Sequence, residues 1–148
     1  MFVDTSNFGK IEIEESKIIE FVEVILGFEE YSRFTIIDNL EDDIFYWLQS
    51  LDRPELSFIM INPLMFVDEY KINVSSKTRK MLELKGDSDI VFYTIVVIDQ
   101  SSGDIRTNLR APIIINAGNN KAAQIVLDEE YPTRFYLFKP DTAVEEIG

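Results

Sequence analysis

The sequence predicts an all-β fold, mostly antiparallel, arranged as a closed or partly open barrel or sandwich. Three observations carry that expectation. Short segments with strand character recur at regular spacing from Lys10 to Phe138, several of them alternating apolar and polar residues with period two. Only one stretch, near residues 76–85, changes to helical composition. No internal repeat, low-complexity tract or Pro/Gly-rich linker interrupts the 148 residues. One domain over residues 1–139 is therefore expected, with an acidic, frayed tail over 140–148. With 46% hydrophobic and 12% aromatic residues, a chain of this length buries about 70% of its unfolded surface in one core.

The first strand is read in Lys10-Ile11-Glu12-Ile13-Glu14, where isoleucine alternates with charge. A second runs from Lys17 to Val24. Gly27 permits a turn before Arg33-Phe34-Thr35-Ile36-Ile37, which Asp38-Asn39 ends. Ile44 to Gln49 is continuously apolar and aromatic as far as Leu48, the pattern of a central strand covered on both faces. Pro54 lies in the connection that follows, and Leu56 to Ile61 pairs back as a hairpin. Asn62-Pro63 stops that strand, and Tyr70 to Val74 alternates again.

The helix is expected next. Ser75-Ser76 offers an N-cap, Lys77 to Leu84 has helical composition with Met81 and Leu84 on one face, and Gly86 fits just past the end. Asp89 to Ile98 and Ile105 to Ile115 form a long central hairpin across the polar turn Asp99 to Asp104. Asn116 to Asn120 turns the chain into a strand over Ala123 to Leu127, and Arg134 to Phe138 is a last strand. About nine strands result, a sheet long enough that it must close or cover its edges.

Composition removes several chemistries. Without cysteine there is no disulfide, thiolate nucleophile, iron–sulfur cluster or zinc finger, and without histidine there is no Ser-His-Asp triad or imidazole acid–base at neutral pH. Neither a GxGxxG nor a P-loop pattern occurs among the six glycines. The segment Asp38 to Asp43 imitates a calcium loop but has Leu40, Asp43 and Gln49 where an EF-hand needs a ligand, a glycine and a glutamate. No cofactor is expected. The start lacks a basic and apolar leader, and no apolar run is long enough to span a bilayer, so a cytoplasmic protein without membrane contact is expected.

The net charge is −13, and residues 1–50 hold 12 acidic against 3 basic side chains. A field of that sign repels phosphate backbones and attracts basic proteins, which argues against direct nucleic-acid binding. Lys77, Arg79, Lys80 and Lys85 form the one basic cluster, read first as a solvated helix face. Trp47 is read as core or as an interface anchor. Gln49, Asn62, Asn108 and Asn116 stand where strands end, so their amides either satisfy turns, which is favoured, or meet a bound peptide.

Read together, several stretches resemble the FliW family of flagellar assembly factors. They are Gly9 to Ile13, Gly27-Phe28-Glu29, Trp47-Leu48-Gln49-Ser50, Asp52 to Phe58, Asn62-Pro63, Thr107 to Asn116 and Gln124 to Leu127, in order over roughly residues 8–130. The chain departs from the family pattern at Val24 to Phe28, which lacks a glycine and a proline, and at Asn119 to Ala123, which lacks an arginine and a glycine. The resemblance implies a non-enzymatic regulator that binds flagellin and, alternatively, the translational regulator CsrA. Contact candidates from the matching motifs are Trp47, Gln49, Asn62, Pro63, Asn108 and Asn116. Two other readings stay open: a carboxylate-based hydrolase acting in a groove, and a carrier of a small ligand in a barrel mouth.

Overall fold

A computed structural model describes every residue except 24, 26, 39–42, 129 and 139–148. The tail over 140–148 and most of the acidic segment 38–43 therefore lie outside the described residues. Eleven strands are present among the rest: β1 (Phe2–Thr5), β2 (Gly9–Glu12), β3 (Ile19–Glu23), β4 (Arg33–Asp38), β5 (Phe45–Ser50), β6 (Ser57–Ile61), β7 (Ile90–Ile98), β8 (Ile105–Thr107), β9 (Ile113–Asn116), β10 (Lys121–Gln124) and β11 (Phe135–Phe138). One α-helix, α1 (Ser76–Leu82), joins them.

β1 and β2 form a separate antiparallel hairpin. The remaining nine strands make one sheet in the order β11-β8-β7-β6-β5-β4-β3-β10-β9, and β9 also pairs with β7. The sheet thus returns on itself through seven strands and is partly ring-like. All pairings are antiparallel except β3 with β10, which is parallel.

The main core follows the strand parity the sequence shows. Ile19 and Phe21 of β3, Phe34 of β4, Leu48 of β5, Met60 of β6, Ile113 and Ile115 of β9 and Ala122 of β10 are buried in one cluster, with Tyr93 and Ile95 of β7 packed against it. All seven ring strands contribute to this cluster, mostly through alternate residues, as a sheet with one face on a core requires. On the opposite face of β9 and β10, Ile114 and Ala123 pack against Leu82 of α1. This is why Ile113 to Asn116 is buried at every position.

The expectations that failed have local causes. Phe2–Thr5 is a strand that the alternation test missed; its N-terminal amine donates to the Ile13 carbonyl at 2.9 Å, and Ile13 N–H returns the bond to Met1 at 2.8 Å. Tyr70 to Val74 is not a strand. Its alternation reflects burial: Tyr70, Ile72 and Val74 face the clusters outside the ring without joining a ladder. α1 stops at Leu82 and is closed by Glu83 in the left-handed region (φ 57°), not by Gly86, and its buried face is Thr78 and Leu82, not Met81 and Leu84. Ser75 does cap the helix, its Oγ accepting from Thr78 N–H.

The long hairpin is interrupted. Between the pairs Val96↔Thr107 and Tyr93↔Ile113, the chain advances three positions on β7 and six on its partner. Residues 108–112 step out of the ladder, so the expected single strand Ile105 to Ile115 is β8 and β9. β10 is likewise shorter than expected and ends at Gln124. The register continues, with Ile125 N–H donating to Pro112 and Leu127 N–H to Arg110. Reciprocal bonds cannot form, because Pro112 has no N–H and the Arg110 N–H is taken by Asn108 Oδ1 at 2.9 Å. β5 is central, yet Phe45, Tyr46 and Trp47 are half-buried rather than covered.

Phe34 is fully buried inside the ring, edge-on to Phe21 at 5.3 Å. Phe34→Ala is expected to cost about 3–5 kcal/mol, read as a lowered urea midpoint with an unchanged slope.

Candidate partner-binding site

The six residues offered by the sequence do not converge on one cleft; five of them hold turns. Gln49 is fully buried. Its Nε2 faces the carbonyls of Ser50, Pro54 and Leu56 at 3.1, 3.2 and 3.2 Å, which fastens the β5–β6 connection from beneath. Ser50 Oγ accepts from Asp52 and Arg53 N–H and completes that turn. Among the described residues Gln49 Oε1 is a buried oxygen without a partner.

Asn62 Oδ1 accepts from Leu64 N–H at 3.0 Å and opens a short 3-10 turn in which Pro63 is the first residue and is buried. That turn leaves Leu64 and Met65 exposed. Asn108 Oδ1 forms the bond to Arg110 N–H that starts the excursion over 108–112. The excursion is itself anchored: the Tyr70 hydroxyl donates to Leu109 O at 2.5 Å, and Gln124 Nε2 to Ala111 O at 3.3 Å.

Asn116 ties three elements together. Its Nδ2 donates to Leu82 O at 2.8 Å and to Glu83 O at 3.3 Å, at the end of α1, while its Oδ1 accepts from Gly118 N–H at 2.9 Å. Asn119 adds a second donor to Leu82 O at 3.1 Å, and Lys121 pairs with Glu83. That pairing holds the Glu83 carboxyl below its ordinary range and the Lys121 amine above its own, each chiefly through the hydrogen bond between them. The turn that follows β9 is thereby fixed to the helix.

Trp47 is the exception. It is half-buried on β5, and the ring of Phe8, from the β1–β2 turn, meets it edge-on at 5.4 Å and 83°. Phe8 and Phe2 are both exposed, so the N-terminal hairpin carries aromatic surface. The hairpin is held there by Ser6 N–H on Pro54 O at 3.0 Å. Of the basic cluster, Arg79 is paired to Asp87 at 2.7 Å.

Two concave regions lie beyond the sequence candidates. A hollow of about 420 Å³ at one end of the ring is walled by Lys17, Thr35, Ile36, Asp38 and Asn120. Tyr93 and Tyr46 stack edge-on at 5.2 Å, and burial above all, then electrostatic coupling to Tyr46 and the negative charge of Asp38, pushes the Tyr93 hydroxyl above its ordinary 10.0. A groove of about 660 Å³ runs between β3, α1 and the segment after β10, with Glu23, Gln124, Val126 and Asp128 in its wall. Neither carried a sequence signal, since each assembles side chains far apart in the chain. Among the described residues no group of three or more Asp or Glu side chains is placed to hold a metal ion. No described helix is long and apolar enough to cross a membrane.

Comparison with known proteins agrees with this architecture. The family model described as FliW protein matches residues 2–137. A flagellar assembly factor FliW of Ruminiclostridium cellulolyticum is 40% identical over 139 residues, 93% of this chain and 94% of that one. Its counterpart in Clostridium botulinum is 42% identical over 132 residues, 88% and 94% of the two chains. A crystal structure of the flagellar assembly factor FliW superposes with a TM-score of 0.85 at 33% identity, covering 93% of this chain and 97% of that one.

Two outcomes are expected. Asn116→Ala removes the donor to the Leu82 and Glu83 carbonyls and should cost about 1–3 kcal/mol in urea unfolding. Because the folded state holds Tyr93 protonated above its ordinary value, the unfolded chain loses that proton first, so stability falls as pH rises past 10. Tyr93→Phe should flatten that fall.

Proposed function

The chain belongs to the FliW family of flagellar assembly factors, and on that premise we propose that it is a cytoplasmic, non-enzymatic regulator that binds flagellin or, in its absence, a CsrA-type translational regulator. The observation that carries the reading is the family match over nearly the whole chain. The charge supports it. Asp4, Glu12, Glu14, Glu15, Glu20, Glu29 and Glu30 are all exposed on the N-terminal third, in a chain of net charge −13. Docked beside a basic RNA-binding protein, that surface lays negative charge along the phosphate path and weakens RNA binding without covering the site.

Trp47 with Phe8 is the contact we assign to a partner, since this aromatic pair reaches the surface. Gln49, Asn62, Pro63, Asn108 and Asn116 serve by fixing the shape of the turns around the ring. A surface built this way selects a partner by shape and charge and needs no catalytic group.

The test is a titration of the protein into a preformed complex of CsrA with flagellin leader RNA, at low and moderate salt, with flagellin as competitor. RNA release that flagellin reverses, and that weakens as salt rises, is expected. RNA that stays bound while the added protein is folded overturns the CsrA part of the reading.

A further inference from the structure

The N-terminal hairpin is a sheet of its own, and its turn lies over a part of the ring that holds an unspent polar group. Successive residues of a strand face opposite sides. Leu48 points into the ring core, so Trp47 and Gln49 point out, and Ile59 and Ser57, their partners across the β5–β6 ladder, share that outer side. The hairpin turn meets them there. Ser6 N–H donates to Pro54 O at 3.0 Å, the same carbonyl that Gln49 Nε2 faces at 3.2 Å. Asn7 Nδ2 donates to Ser57 Oγ at 3.2 Å, and Phe8 stands edge-on to Trp47. Gln49 is fully buried, although it faces away from the ring core, and its Oε1 has no donor. Burying an acceptor in that state costs free energy that water returns once the cover lifts.

The cover is lightly held. Among the described residues its hydrogen bonds to the ring are those of Ser6 and Asn7, and its buried side chains are Val3 and Thr5. The hairpin's own bonding ends where Ile13 meets Met1. The chain is pinned to the ring at Ser16, whose carbonyl accepts from Asn120 Nδ2 at 2.6 Å, and at Lys17, whose carbonyl accepts from the Thr35 hydroxyl at 3.0 Å. Glu14 and Glu15, both exposed, lie between these points as a hinge.

We propose that the hairpin is a removable plug, its Ser6-Asn7-Phe8 turn occupying a site that takes an aromatic residue of a partner protein. The face sets the occupant's chemistry: Trp47 and Ile59 offer apolar surface, and Pro54, Ser57 and Gln49 offer acceptors. The fitting segment carries an aromatic side chain beside an amide side chain and backbone N–H groups, with one donor for Gln49 Oε1. The plug leaves that last acceptor unmet, and a ligand displaces a resident contact only through what it binds better. The inference rests on the binding role proposed above only in taking the occupant to be a protein. It refines the aromatic assignment: Trp47 is the fixed half of the pair and Phe8 the replaceable half.

Native-state hydrogen exchange of the full chain is the first test. A detached two-stranded hairpin keeps little structure in water, so the Ser6 and Ile13 N–H groups should exchange together, at least ~100-fold faster than those of Leu48 and Met60. Exchange of the hairpin at the rate of the ring strands overturns the proposal. The second test uses Trp47, the one tryptophan in the chain, as its fluorescent reporter. A blocked peptide Thr-Ser-Asn-Phe-Gly, with the sequence of the plug turn, should give a saturable change in Trp47 emission in the Phe8→Ala variant, and bind the unaltered chain at least ~10-fold more weakly because the plug competes. No saturable response in the variant, or equal binding to both proteins, overturns the site. So does a dimer in which one copy's hairpin seats on the other, which would make a second copy the occupant. Exchange on the unaltered chain decides the plug even where Phe8→Ala disturbs the fold. Neither readout involves RNA, so failure of RNA release in the preceding titration leaves both standing and the two readings fall separately.

Discussion

Closure of the sheet depends on how β7 changes partners. Its nine residues pair with β8 at one end and with β9 at the other, and only the β9 contact brings the strand order back on itself. Two neighbouring strands from one continuous chain cannot do this without slack. Asn108 to Pro112 provides it by leaving the ladder for five residues, and the Asx turn at Asn108 and the missing N–H of Pro112 hold it out. An uninterrupted ladder from Val96↔Thr107 would have set Tyr93 against Arg110 rather than Ile113.

Much of the molecule is built on the backbone groups this excursion frees. Leu109 O takes the Tyr70 hydroxyl and so anchors the extended segment 70–74 over the outer face. Arg110 O and Pro112 O take Leu127 and Ile125, which carries the chain past β10 in register but prevents a full ladder. The outer clusters around Leu109 and Leu82 then cover β9 and β10, leaving the ring with an inner core and a partial outer one. One local interruption therefore links ring closure and the second core.

The proposed binding role places function at the surface. The polar side chains that the sequence singled out are spent on carbonyls and N–H groups of their own turns, where a lost partner would cost about 1–3 kcal/mol each. On the proposed reading, charge and exposed aromatic side chains are the means of recognition. Their arrangement is uneven: acidic groups gather on the N-terminal third of the chain, and Phe8 meets Trp47 edge-on.

Much of this was legible in the residues. Phe34, Leu48, Met60 and Ile113 were placed in strands by period and composition and are core; Ser75 was an N-cap by its side chain; the ordered motifs from Trp47 to Leu127 indicated the family. These are local properties, fixed by what a residue's neighbours in the chain are. The alternation at Tyr70 to Val74 misled because period two records which side is buried and not whether a ladder forms. The helix end was misplaced because Glu83 adopts a left-handed conformation only where Asn116, Asn119 and Lys121 meet the carbonyls and carboxylate there. Composition, strand spacing, core parity and the exclusion of cysteine and histidine chemistry were determined by the sequence alone. Ring closure, the division of β8 from β9 and the use of each amide were decided by tertiary structure, because each depends on a hydrogen-bond partner that the fold brings from a distant part of the chain.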